Sequence, residues 1–261
     1  MNANDLKRFK DWFYEYIRQF YGQDEYINAN LELKREHTKY VVDEAGYISR
    51  GIGLDDNEVL IAETTALMHD VGRFEQFYKY RTYSDRKSVS HSDLGFEIIQ
   101  AEGVLDGLDP VEKEMILSAV KYHGIKDVPD GLDERTLLHS KIVRDADKLD
   151  IYRVLQEKYT DYIRDPENYN LELELPDEPW YSDSIIDSIM NCQQVHYSEM
   201  HTLNDMKLLI LAMVFDVNFE PTLTKIRDKK YVQAFVDMLP KDETIEKAQQ
   251  VLLGYIDKRL G

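Results

Sequence analysis

The chain has little of what marks the more specialised classes of protein. Cys192 is the only cysteine in 261 residues. No intrachain disulfide can form and no cysteine-based zinc ribbon can be drawn, so a reducing, cytoplasmic setting is expected. Glycine and proline are scarce, at 12 and 7 residues, which leaves little chain for disorder. No internal repeat or low-complexity tract is present. Long hydrophobic runs are also missing. The N-terminal stretch MNANDLKRFKDWFYEYIRQFYG mixes charges into its apolar positions, unlike a signal peptide or an anchor. The most apolar segment, Met206 to Phe219, is interrupted by Lys207 and Asp216 and is too short to span a bilayer. Positive charge is in deficit as well. A net charge of -18 argues against nucleic acid as the main partner, because such binding needs a surplus of Lys and Arg facing phosphates. A small anionic substrate is compatible with this charge, since bound divalent metals and a few local cations reverse the field inside a pocket.

What is present is helical periodicity, which dominates from end to end and predicts an all-α protein. Helices are expected at about Asn4–Tyr21, Tyr26–Ser49, Asp56–His69, Ser90–Glu102, Pro110–His123, Glu134–Arg164, Ser182–Met200, Leu203–Phe219 and Thr244–Leu260, with ends uncertain by about 2–4 residues. Short helices are expected within Thr222–Leu239. Turn chemistry separates these elements at Gly51-Ile52-Gly53, Asp106-Gly107, Val128-Pro129-Asp130-Gly131 and Asp165-Pro166. The stretch Asp165–Tyr181, with three prolines, is the expected boundary between domains 1–165 and 166–261.

Chemistry concentrates in the first of these domains. His37 lies on or beside the buried stripe of its helix, six residues after Leu31 and four before Val41. The pair His69-Asp70 ends the apolar run Ala66-Leu67-Met68, placing two potential ligands where a helix meets a turn. Ser90 and Asp93 have capping-box spacing, which puts His91 in a first helical turn where the helix dipole disfavours imidazolium. A metal requires the neutral ring. His123 follows Met115 and Ala119 at intervals of four and closes an apolar stripe. Asp145, Asp147 and Asp150 stand in an otherwise apolar helix. A lone inward histidine is more often a hydrogen-bonded core residue, and an acidic triplet more often a solvated face. The order His, His-Asp, His, His, Asp in helical contexts instead supplies nitrogen and oxygen ligands suited to Fe, Mn, Co, Ni or Zn.

The residues that carry this order resemble the HD-domain superfamily of metal-dependent phosphohydrolases. The likeness rests on His37, HDVGRFEQ at 69–76, DRKSVSHSDLG at 85–95, YHG at 122–124 and RDADKLD at 144–150. It spans His37 to Asp150 and does not reach the C-terminal lobe. The resemblance implies a helical HD-domain core with an appended helical lobe. It further implies that His37, His69, Asp70 and Asp147 hold a first metal. His91 and His123, with Asp70 bridging, look like the ligands of a second, for which Mg is a further candidate. Asp147 is preferred to Asp145 because the family's last ligand directly precedes a basic and then a hydrophobic residue. Asp145 and Asp150 are then expected to orient histidines or nearby cations. The family's cyclic-dinucleotide phosphodiesterases show two adjacent histidines where this chain has His123-Gly124, and a GYP signature absent here. That branch is disfavoured.

The implied chemistry is attack of a metal-activated water on the phosphorus of a small phosphorylated substrate, with Asp70 bridging and positioning. Arg73, four residues after His69, is expected to clamp phosphate through two hydrogen bonds. Its plainer reading is a surface Arg paired with Glu75 or Asp85. Lys87 and Lys148 are weaker candidates for the same duty. The aromatic run Phe74, Phe77, Tyr78, Tyr80 and Tyr83 is read as core packing. Two rivals stand beside the hydrolase: a di-iron oxygenase with the same ligand pattern, and a binding module with a structural metal. A Cys192–His196 nucleophile is set aside, since nothing nearby suggests an oxyanion hole and a lone helical cysteine is usually a packed small hydrophobe. His139, His196 and His201 are read as structural. Pairing of the Leu208–Phe219 apolar face is the expected route to a homo-oligomer.

Overall fold

The computed structural model describes residues 1–124, 131–165 and 175–261. The Val128–Asp130 part of one expected turn and most of the proline-bearing stretch from Pro166 lie outside the described residues. Among the described residues all regular structure is helical. The helices are α1 (Ala3–Arg18), α2 (Glu25–Gly51), α3 (Asp56–Met68), α4 (Val71–Tyr80), α5 (His91–Ala101), α6 (Pro110–Tyr122), α7 (Glu134–Arg164), α8 (Asp183–Met190), α9 (Leu203–Ala212), α10 (Glu220–Asp228), α11 (Tyr231–Asp237) and α12 (Glu243–Leu260). The chain divides into two compact units, Met1–Asp150 and Ile151–Gly261, the division falling within α7. Among the described residues no helix is long and apolar enough to cross a membrane.

In the first unit α3 is the central helix. Its sequence is apolar on almost every side, and Val59, Ile61, Ala62 and Thr64 to Met68 are all buried. It packs against α1, α2 and α6, while α4 packs against α1, α2 and α5. The helix ends are written in local chemistry. Asp24, Asp55 and Ser90 each accept a backbone N–H at N3, and Asp109 caps α6 ahead of Pro110. Phe13 of α1 meets Phe74 of α4 edge to face at 5.6 Å, a geometry that contributes about 0.5–1.5 kcal/mol beyond burial.

The α4 helix has no counterpart among the expected elements. A glycine near its start and tyrosines toward its end obscured a real period, in which Val71, Phe74 and Phe77 are buried three residues apart. The aromatic run divides accordingly: Phe74 and Phe77 are core, whereas Tyr78 and Tyr80 are exposed. The crossing of α4 and α5 depends on Gly72, where an added Cβ would lie 2.3 Å from the His91 carbonyl oxygen and 2.7 Å from the Gly95 nitrogen. Backbones can approach this closely only where a side chain is missing.

The second unit corrects two expected helices. The expected Ser182–Met200 helix ends at Met190, and Cys192 follows as an exposed residue with φ 53° rather than a packed helical one. Cys192 and His196 therefore share no helical face. The expected Leu203–Phe219 helix stops at Ala212 and continues as a 3-10 turn, Met213–Asp216. Leu208 to Ala212 are all buried within the chain itself, so that run presents no free apolar face for pairing. Asp205 is fully buried yet satisfied, accepting the Ser182 N–H at 2.7 Å, the Ser182 hydroxyl at 2.8 Å and the His201 N–H at 2.8 Å.

Two glycines test this packing. Gly72→Ala is expected to cost about 1–3 kcal/mol through overpacking at a backbone contact. Gly254→Ala, at an exposed position of α12 with nothing among the described residues within 4 Å of the added methyl, is expected to stabilise by up to about 1 kcal/mol. Urea unfolding of the two variants beside the parent measures both, and equal effects would contradict the close α4–α5 approach.

Candidate metal centre

His69 ends α3 and Asp70 stands at the N-cap of α4, so the pair is the corner between two buried helices. Aspartate at an N-cap normally accepts a backbone N–H. Asp70 makes no such bond; its carboxylate is turned into the unit instead. The His69 Nδ1 donates to the Ala66 carbonyl at 2.6 Å, and His123, at the end of α6, repeats the device on the Val120 carbonyl at 2.6 Å. A carbonyl only accepts, so Nδ1 carries a hydrogen and Nε2 faces inward on both rings.

The other two histidines are oriented by carboxylates. His37 Nδ1 donates to Asp150 Oδ2 at 2.7 Å, and His91 Nδ1 to Asp85 Oδ2 at 2.7 Å. All four Nε2 atoms converge on Asp70, but on different oxygens. Oδ2 lies 3.5 Å from His37 Nε2 and 3.6 Å from His69 Nε2, whereas Oδ1 lies 3.6 Å from His91 Nε2 and 3.8 Å from His123 Nε2. Asp147 Oδ1 adds a further oxygen 3.2 Å from His37 Nε2. Each Asp70 oxygen also meets a cation: Lys34 Nζ at 2.8 Å from Oδ2 and Arg73 Nε at 3.4 Å from Oδ1.

The electrostatics follow from burial and these neighbours. Burial favours the neutral acid at Asp70, yet the Lys34 ammonium and the surrounding imidazoles hold its carboxyl well below the usual range. Burial pushes His69 down to about 4 against the pull of Asp70, so its ring is neutral at physiological pH. Burial likewise lowers His91, opposed by its hydrogen bond to Asp85. His37 goes the other way: burial and Lys34 oppose a proton there, but the carboxylates of Asp147, Asp150 and Asp70 prevail and raise it to about 10. The pocket therefore draws a cation to His37 Nε2.

Whether the residues suit a metal can be read from atoms left without partners. Among the described residues His69 Nε2 is buried without a hydrogen-bond partner, and His37 Nε2 is buried with carboxylate oxygens near it, at 3.2 Å and 3.5 Å, but no well-formed hydrogen bond, a costly state for groups meant only for packing. Two sets, His37–His69–Asp70 and Asp70–His91–His123, each bring their ligand atoms within 4.8 Å of one another. With metal–ligand bonds of about 2.1 Å, neighbouring ligands on one ion stand roughly 3.0–3.4 Å apart. The Asp147–His37 contact at 3.2 Å and the His91–His123 Nε2 separation of 3.1 Å match that spacing. The donor set fits a divalent metal.

The expected residues are distributed unevenly. His37, His69, Asp70, His91, His123 and Asp147 come together. Asp150 orients His37, three residues from Asp147 on the same helix face. Asp145, two residues before Asp147, is buried on a different side of α7, 3.9 Å from Lys148. Lys87 is exposed on the short turn Asp85–Lys87. Arg73 reaches the site but not as a free two-toothed clamp. Its Nη1 is taken by Tyr83 O at 2.6 Å, Asp85 Oδ1 at 2.9 Å and Gln76 Oε1 at 3.0 Å, and its Nη2 lies 3.3 Å from His91 Nε2. Gly124 explains the missing second histidine: a Cβ there would stand 2.9 Å from Ser92 Oγ and 3.1 Å from His91 Cε1. His139 is buried in a structural contact, 2.6 Å from Glu58 Oε2. His196 and His201 are exposed.

Lys34, Asp85 and Gln76 are the residues that sequence reasoning missed as parts of the site. The signals were spacing alone. Lys34 precedes His37 by three on one helix face, and Asp70, Arg73 and Gln76 recur at intervals of three along α4.

Residues 34–152 match the family model described as HD domain. That stretch, a little under half of the chain, supports a place in the HD-domain superfamily of metal-dependent hydrolases, and it carries two His/Asp groups able to hold a divalent metal. No curated protein and no solved structure matches the chain significantly.

The raised His37 has a measurable consequence. Below about pH 10 the metal-free ring is protonated, so a metal must expel that proton, and apparent affinity is expected to fall as pH falls through this range. Calorimetric titration with Co(II) at pH 7.5 in buffers of different ionisation enthalpy is expected to report about one proton released with the first ion. Heats independent of the buffer would contradict it.

Proposed function

We propose that the chain is a phosphohydrolase that cleaves a small phosphoester or phosphoanhydride, nucleotides among them, with the help of one or two divalent ions. Fe, Mn, Co, Ni and Zn suit its imidazole and carboxylate donors, and Mg is a further candidate at the second position. The observation that carries the proposal is the opposed arrangement of two histidine pairs across the two oxygens of Asp70, with Lys34 and Arg73 beside the same carboxylate.

A divalent ion held there would supply Lewis acidity, lowering the pKa of a water and neutralising phosphate oxygens. The protein's own groups do the rest. Asp70 fixes the distance between the two positions. Asp150 and Asp85 keep the His37 and His91 rings turned so that each Nε2 faces Asp70. Lys34 Nζ and Arg73 lie beside Asp70, so that together with a bound divalent ion they would favour a small anion at this one place inside a chain of net charge -18. Arg73 acts there mainly through the contacts that hold it, with one guanidinium nitrogen facing the ligand side.

Incubating the metal-loaded protein with phosphomonoesters, phosphodiesters and nucleoside polyphosphates tests the proposal. Phosphate or nucleotide release is expected, and Asp70→Asn should lower it by more than about a hundredfold, beyond the loss typical of residues that only support a ligand. Oxygen consumption with a di-iron signal and no product from the panel would establish the oxygenase instead. No turnover of either kind, with metal and stability lost together in His69→Ala, would leave a binding module.

A further inference from the structure

The two candidate positions are built alike but supported differently. Each has one histidine oriented by a backbone carbonyl and one oriented by a carboxylate. At the His37 side that carboxylate, Asp150, is 1% exposed and sits on the long helix α7. At the His91 side it is Asp85, 38% exposed, on the three-residue turn Asp85–Lys87. Among the described residues the first position also has Asp147, whereas the second has His91, His123 and the shared Asp70.

The turn that carries Asp85 is tied to α4 by two side chains of that helix, Arg73 and Gln76. Arg73 Nη1 donates to Asp85 Oδ1 at 2.9 Å, and the buried Gln76 Nε2 donates to the same oxygen at 2.9 Å. Gln76 Nε2 also reaches Ser88 Oγ at 2.9 Å and Val89 O at 2.8 Å, and its Oε1 accepts from Arg73. These bonds leave Asp85 Oδ2 to receive His91 Nδ1, which turns His91 Nε2 toward His123 and Asp70 Oδ1.

We propose that Asp85 is the positioning residue that decides whether a second divalent ion is held, and that the His91–His123 position is the weaker and exchangeable of the two. A ligand oriented from an exposed turn is less firmly held than one oriented from a buried helix, and among the described residues the second position has three donors to the first's four. Arg73 and Gln76 serve the second position by holding Asp85, which gives the Asp70–Arg73–Gln76 spacing a common purpose. The proposal rests on the metal-binding part of the function proposed above and not on the reaction.

Titrating the metal-free full chain with Co(II), following visible absorption and counting bound metal after gel filtration, tests it. The parent is expected to take up two ions in two steps. Asp85→Asn, which keeps the size of the side chain but no longer accepts as a carboxylate, should leave the first step within about twofold and weaken the second by about 10–100-fold. Asp85→Ser should give the same split, and Asp150→Asn the converse, a weakened first step. A parent that binds one ion, an unchanged second step in Asp85→Asn, or equal weakening of both steps would overturn the proposal. The readout is metal binding, so a phosphoester panel without turnover would sink the hydrolase while leaving this result to stand or fall separately.

Discussion

Everything at the site depends on keeping one carboxylate, that of Asp70, ionised inside a helical core. Desolvating such a charge costs several kcal/mol, which an uncompensated group would avoid by taking up a proton. Here the cost is offset on both sides at once. Lys34 and Arg73 each approach one oxygen, and four imidazoles surround the pair. The buried carboxylate therefore imposes a demand for positive charge on its surroundings, and the raised His37 is a direct expression of it. A divalent ion meets the same demand more fully than a proton does.

That demand explains features of the fold that packing alone does not. Asp70 forgoes the capping bond its position offers. The two helix-ending histidines spend their Nδ1 atoms on their own helices, which makes the geometry local and robust. Gly72 and Gly124 are empty of side chain because α5 and the His91 ring occupy the space. Around this rigid centre the two carboxylates Asp150 and Asp85 hold histidines from unequal settings, one a buried helix and the other an exposed turn.

Much of the candidate site was legible because metal ligands are drawn from few residue types. His37, His69, Asp70, His91, His123 and Asp147 could be picked out in order, and helical periodicity placed them at helix ends or on buried faces. Arg73 was legible as a cation near the site but not as one whose Nη1 is already shared among Tyr83, Gln76 and Asp85. The α4 helix escaped notice because its buried period of three is interleaved with tyrosines. The break after Met190 escaped because nothing in the side chains around Cys192 forbids continuing a helix; the left-handed φ of that residue is a backbone fact.

The sequence by itself determined the helical class, the identity of the candidate ligand residues and the overall deficit of positive charge. These follow from composition, from periodicity and from the small set of side chains that can bind a metal. Only the tertiary structure decided which oxygen of Asp70 serves which histidines, and that Lys34 and Asp85 belong to the site. Those facts rest on contacts between residues far apart in the chain. Distances of this kind are set by how helices pack, and no local pattern encodes them.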